Sequence, residues 1–220
     1  MWNALVEGMR SVINSLYLFT DTIGIPSYAL AIVLLTVIIK VALYPLTKKQ
    51  MVSMKMMQKI APEIKAIQDK YKKKDPQKMQ KKIMELYQKH NVNPMAGCFP
   101  ILIQMPILIA LYRALFNFDF INPEHATIFI INLAERDPTF ILPILAAVTT
   151  FMQSKLTTNT ADTTQRTMLY VMPALIGWIA ATVPSGLALY WVIFNLVGAI
   201  QQFYINKHVL ATEKKEVAEN

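Results

Sequence analysis

Lys40 is the residue with the most demanding chemistry in this chain. It is the single charge in Ser27–Tyr44, a run that also lacks proline and glycine. Placing an ammonium inside an apolar membrane helix costs roughly 2.5–3.5 kcal/mol, so such a group faces water or a partner. Thr36 and Tyr44 fall four residues to either side, which puts Thr36, Lys40 and Tyr44 on one helix face. Snorkelling is the simpler account, because Lys40 lies near the end of the run. Against it, helical side chains lean toward the N-terminus, which aims this amine deeper and favours a wet cavity. A lysine so placed attracts carboxylates; at 4 Å and an effective dielectric near 20, the gross attraction is about 4 kcal/mol before desolvation.

Other polar residues recur at helical spacing in apolar surroundings. Trp191, Asn195, Gly198 and Gln202 share one face, with Phe194 one position off it, and Thr149 pairs with Gln153. Gln104 is a further polar residue at depth. Interhelical hydrogen bonding, worth about 1–2 kcal/mol, accounts for Gln153 taken alone. The set, read with Lys40, favours one shared hydrophilic groove. Covalent catalysis has no inventory. There is no HExxH, no GxSxG and no pair of intramembrane aspartates. His90, His125 and His208 fall in loops, Ser185 has no base nearby, and Cys98 reads as a packing residue. One cysteine also excludes a disulfide framework and a cysteine metal site within the chain. No catalytic residue, metal or cofactor is expected.

The elements that must carry these residues are apolar blocks. With 54% hydrophobic residues and mean hydropathy +0.34, the chain reads as an all-α polytopic membrane protein. Residues 1–23 form an amphipathic helix lying in the outer interface, with Trp2, Leu5, Val6, Met9, Val12, Ile13, Leu16 and Phe19 at helical spacing. Residues 24–210 form the core, with spans expected at about 25–45, 95–118, 138–154, 168–184 and 186–206, and 211–220 is a short tail. Two of those spans are short, and short helices thin the bilayer around them.

Between the first two spans, residues 46–94 hold thirteen lysines against four acids. Asp75-Pro76 starts a helix there, with Asp as cap and Pro at the first helical position. The segment reads as a basic helical hairpin. It orients the chain by the positive-inside rule, and Lys72, Lys73 and Lys74 at its tip are candidate contacts for a polyanion such as ribosomal RNA or anionic lipid. No readout of nucleic-acid sequence is implied. Residues 119–138 carry the opposite bias, four acids and one arginine. The charges therefore favour five spans with the N-terminus outside and the C-terminus in the cytoplasm.

Three segments resemble the YidC/Oxa/Alb family of membrane protein insertases: PEIKAIQDKYKKKDPQKMQKKIMELYQKHNVNP, MAGCFPILIQMPI and SGLALYWVIFNLVGAIQQ. The match runs over about residues 20–208, in order, and is similar to the family's bacterial five-span form. It implies five transmembrane helices around a hydrophilic groove open to the cytoplasm and to lipid. It also implies a non-enzymatic insertase and chaperone of the bacterial plasma membrane whose clients are nascent membrane proteins. Ribosome, Sec translocon and membrane lipid are the further partners it suggests. The polar residues at depth, Lys40, Thr36, Gln104, Gln153, Trp191, Asn195 and Gln202, are the candidates to line that groove. Where the family usually has arginine in the first span, this chain has Lys40, which keeps the charge without the bidentate fork. No lipoprotein signal, large external domain or long basic tail has a counterpart in these 220 residues. A small transporter with Lys40 in its substrate site is the competing class. The chain shows no duplicated hydropathy pattern to favour it.

Overall fold

A computed structural model describes residues 2–71, 74–90, 99–116, 118–157 and 163–218. The fold is all-α. Its helices are α1 (Trp2–Thr22), α2 (Tyr28–Ala42), α3 (Tyr44–Tyr71), α4 (Pro76–Lys89), α5 (Phe99–Leu115), α6 (Ile141–Thr157), α7 (Thr163–Ala180) and α8 (Ser185–Ala218). A 3-10 turn, Pro123–Ala126, and a two-stranded ribbon, β1 (Thr127–Ile128) and β2 (Ile131–Asn132), lie between α5 and α6.

The long apolar run read as one span is interrupted. Ser27 caps α2 by accepting from the Leu30 amide at 3.3 Å. The helix then stops at Ala42, and α3 leaves at 67°. Pro45 favours the break: it brings no N–H, and its ring clashes with the carbonyl four residues back. The bend removes Tyr44 from the Thr36–Lys40 stripe and leaves α2 roughly 22 Å long.

By length and composition, Ser185–Lys207 of α8 is the one described stretch able to cross a bilayer alone, and α2 with α3 qualifies as a bent pair. Ile103–Leu115, Ile141–Leu156 and Arg166–Ala180 are apolar but shorter.

α8 is the central post, packed against α2, α6, α3, α5 and α7. Its first turn is tied to the α5–α6 connection: Ser185 N donates to Glu135 O at 2.7 Å, Gly186 N donates to Leu133 O at 2.9 Å, and Ser185 Oγ donates to Asn132 O. Gly186 is there because an added Cβ would come 3.1 Å from Ile32, Leu115 and the Leu133 carbonyl. This is the loop end of the bundle; α3 and α4 project from the other, basic end.

Helix α1 buries Val6, Ile13, Tyr17 and Thr20 against its neighbours and leaves Leu5, Val12, Leu18 and Phe19 exposed. It packs on α2 and α5. The apolar stripe expected to rest in an interface is therefore shared between the bundle and the surroundings. Arg10 fixes it, donating to the carbonyls of Ala114, Arg113 and Phe116 at 3.2–3.4 Å. A cation at the exposed carbonyls of α5 suits the helix dipole.

Helices α3 and α4 pair through Ile60 and Leu86, with Met56, Met57, Ile64, Ile67 and Tyr87 around them. Asp75 caps α4 through the Lys78 amide at 2.9 Å, with Pro76 in its first turn, as the sequence predicts. Lys74 stands exposed in the turn; Lys72 and Lys73 lie outside the described residues.

A buried polar seam beside an apolar cleft

Lys40 lies in the last turn of α2 and is only 3% exposed. Its Nζ sits 3.3 Å from the centroid of the Phe194 ring on α8. No carboxylate among the described residues bridges it. The Lys40 carbonyl accepts from Gln201 Nε2 at 3.3 Å. Thr36, one turn earlier, is fully buried and turns its hydroxyl onto the Ile32 carbonyl at 2.6 Å.

The meeting point with α6 is Gly198. A Cβ added there would collide with Gln153 Nε2 and come within 2.9 Å of Lys40 Nζ. The bare backbone thus lets the amine of α2 and the amide of α6 meet against α8. One turn toward the loop end, Asn195 Nδ2 donates to Thr150 Oγ1 at 2.7 Å and Thr149 Oγ1 at 3.3 Å. Gln202, 2% exposed, donates to Asn206 Oδ1 at 2.9 Å. Lys40, Gln153 and Asn195 therefore gather in one seam between α2, α6 and α8, while Thr36 and Gln202 lie buried about one turn away and bond within their own helices. The seam is closed over: its members are buried or half-buried side chains, not walls of an open channel.

Gln104 and Trp191 belong to a different feature. Gln104 Nε2 donates to Tyr190 Oη at 2.8 Å. Both Gln104 and Trp191 line a cleft of about 620 Å³ between α5, α7 and α8, whose remaining walls are apolar. Phe194 lines that cleft as well. One ring thus separates the polar seam from the apolar cleft.

Reading helical periodicity identified the members of the stripe but missed Phe194, Gln201 and Thr150. Phe194 and Gln201 lie on a second stripe of α8 that includes Gly198, at four- and three-residue steps. A lone glycine at the crossing of two stripes was the available signal. His, Cys, Asp and Glu form no metal-sized group among the described residues.

A polar seam buried in an all-helical bundle, an apolar cleft beside it and a central helix long and apolar enough to cross a bilayer are the features of a helical membrane protein. Residues 18–213 match the family model described as the 60Kd inner membrane protein, and the chain belongs to that family. It is 46% identical over 182 residues to "Membrane protein insertase YidC 1" of Halalkalibacterium halodurans, covering 81% of this chain and 70% of that protein. It is 39% identical over 214 residues to "Membrane protein insertase YidC" of Geobacter sulfurreducens, covering 97% of this chain and 39% of that protein. Among solved structures it resembles an "Active YidC insertase", with TM-score 0.72 and 26% identity over 93% of this chain and 47% of that one. The chain thus spans well under half the length of several relatives that it matches.

Proposed function

We propose that this protein is a membrane protein insertase: it receives nascent membrane proteins from the cytoplasm and promotes their passage into the lipid bilayer, without covalent chemistry. The observation that carries this reading is Lys40, a buried ammonium that no described carboxylate neutralises, beside an apolar cleft of about 620 Å³. A charged site hydrates and attracts the polar tail of a client, and an apolar cleft accepts its hydrophobic segment.

In this reading α2, α5, α6, α7 and α8 are five spans, and the seam, closed over in this structure, parts on the basic side into a hydrophilic groove when a client enters. The lengths fit a locally thinned bilayer, since α2 is roughly 22 Å and α5 roughly 26 Å long. The basic end faces the cytoplasm, with the N-terminus outside, on the strength of the lysines of α3 and α4. Thr36, Lys40, Gln153, Asn195 and Gln202 contact the client's polar tail; Gln104 and Trp191 contact its apolar part. Lys74, together with Lys72 and Lys73, offers a surface to anionic lipid or a docked ribosome, and the Sec translocon is a candidate neighbour.

The test is insertion of a single-span client into liposomes carrying the purified protein, read by protease protection. The expected result is protection of the client's tail above that in empty liposomes. Equal protection with and without the protein overturns the reading.

A further inference from the structure

The Lys40 ammonium is held from two sides by one stripe of α8. The Phe194 ring lies beneath it at 3.3 Å. Gly198, four residues on, supplies the space: a side chain there would meet Lys40 Nζ at 2.9 Å and collide with Gln153 Nε2. Gln201, the next residue of the stripe, donates to the Lys40 carbonyl at 3.3 Å. These spacings put Phe194, Gly198 and Gln201 on one helix face. They grip both the backbone and the amine of Lys40.

The alternative position for the amine is close by. A lysine stem has four flexible carbons, and Lys40 is within three residues of the end of α2, so the amine can swing toward water at the basic end. What opposes that swing is the negative face of the ring. A cation over a desolvated aromatic ring is favoured by roughly two- to thirty-fold. Leucine offers bulk at this position but no quadrupole. Alanine at position 198 offers a methyl group where the amine and the Gln153 amide now lie, and their flexible ends must move aside.

We propose that Phe194 and Gly198 are positioning residues for Lys40, with the Phe194 ring holding the ammonium at the wall of the apolar cleft and Gly198 leaving room for it. Their role is selectivity for clients with acidic translocated tails, and it rests on the insertase reading above. Phe194 sits at the border of seam and cleft. The charge is therefore presented where a client's polar tail and apolar segment would meet.

Two measurements on the full chain test this separately. In the first, the protein carries 13C at the lysine ε-carbon and is observed by NMR in micelles. The Lys40 ε-methylene is expected upfield of the other lysines through the ring current of Phe194. Phe194→Leu removes that shift, Phe194→Trp keeps it, and Gly198→Ala changes it. A Lys40 signal with the ordinary lysine shift overturns the placement, whatever the protein does to clients. In the second, liposomes carrying each variant receive one client with either Asp or Asn in its tail. Phe194→Leu is expected to lower the Asp:Asn insertion ratio roughly three- to ten-fold and Phe194→Trp to restore it. An equal loss for both tails makes Phe194 a packing residue only and overturns the proposal. If the unaltered protein inserts neither tail above empty liposomes, the insertase reading fails, and the selectivity role assigned here falls with it.

Discussion

At the loop end, Tyr17 and Tyr28 are fully buried and stacked, their ring centroids 4.1 Å apart and nearly parallel. Each hydroxyl has two partners. Tyr17 Oη lies 2.7 Å from His125 Nδ1 and accepts from Asn122 Nδ2 at 2.7 Å. Tyr28 Oη donates to Asn14 Oδ1 at 3.2 Å and accepts from the Ile121 amide at 2.8 Å. Phe118 and Phe120 set their edges against Tyr28. Around Lys40 the same bundle buries polar groups without settling them. The ammonium rests on a ring instead of a carboxylate, and Gln201 Oε1 and Gln202 Oε1 have no partner among the described residues.

The difference separates a seal from a site. Buried polar groups that are fully paired tie α1, α2 and the α5–α6 connection into one arrangement, and they are costly to disturb. Buried acceptors left open carry a desolvation cost of about 1–3 kcal/mol each, recovered when water or a client supplies a donor. Retaining that cost beside a lysine that no described carboxylate neutralises makes sense where binding happens and makes none in a core.

Breaking the seal should have the largest effect. Tyr28→Ala removes a fully buried ring and both its hydrogen bonds, and is expected to destabilise the protein by about 3–5 kcal/mol in denaturant unfolding in micelles. Tyr28→Phe keeps the ring, leaves Asn14 and the Ile121 amide unpartnered, and should cost about 1–3 kcal/mol. A loss under about 0.5 kcal/mol for Tyr28→Ala would mean that the stack is not a structural tie and the contrast with Lys40 dissolves.

The seam should respond with the opposite sign. Lys40→Met keeps the length of the side chain and removes a buried charge, whose cost is roughly 2.5–3.5 kcal/mol at a helix centre and less in the last turn of α2. Against that stands the attraction of the Phe194 ring, about 0.5–2 kcal/mol. The net expectation is a protein about 1 kcal/mol more stable than the parent and poorer with acidic clients. If Lys40→Met unfolds more readily, the lysine belongs to the structure as Tyr28 does.

The sequence displayed these two regions unequally. Lys40 stood out because one charge in a long apolar run violates a simple energetic rule, and the stripes of Asn195, Gln202 and Thr149 followed from helical periodicity. The helical pair 44–89 was legible from Asp75-Pro76, whose capping chemistry is local. The clasp was not legible. Tyr17, Tyr28, Asn122 and His125 are more than 100 residues apart at the extremes, and no periodicity links them. The bend at Leu43 was hidden because Pro45 is equally acceptable in the first turn of a new helix, and only the packing of α3 decides that a new helix begins there. Phe194 was invisible as a functional residue because an aromatic in an apolar helix carries no signal until a cation is found above its face.

A smaller effect should distinguish the two ends by pH. Asp137 closes the start of α6 at the loop end, 2% exposed. Its carboxylate accepts from Thr139 N at 2.8 Å, Thr139 Oγ1 at 2.6 Å and Leu142 N at 2.8 Å. Burial by itself pushes this carboxyl up, but the hydrogen bonds from Thr139, Leu142 and Ile141 outweigh it and hold the group below the ordinary aspartate value of 3.8. A carboxylate with a depressed folded pKa contributes stability that is complete above the unfolded value and is lost as pH falls through the folded one. Stability should therefore hold down to about pH 4 and drop below it, with hydrogen exchange rising first in the opening turn of α6. Asp137→Asn keeps an acceptor but turns an amide toward a donor. It should cost about 1–3 kcal/mol at neutral pH, since both carboxylate oxygens accept and the amide leaves one buried donor unpartnered. The variant should also lose the part of the acid response that comes from α6, while exchange in α2 around Lys40 stays as in the parent. Should the acid response of α6 persist unchanged in Asp137→Asn, the settled polar network at the loop end does not depend on this carboxylate, and the seal is held by Tyr17 and Tyr28 alone.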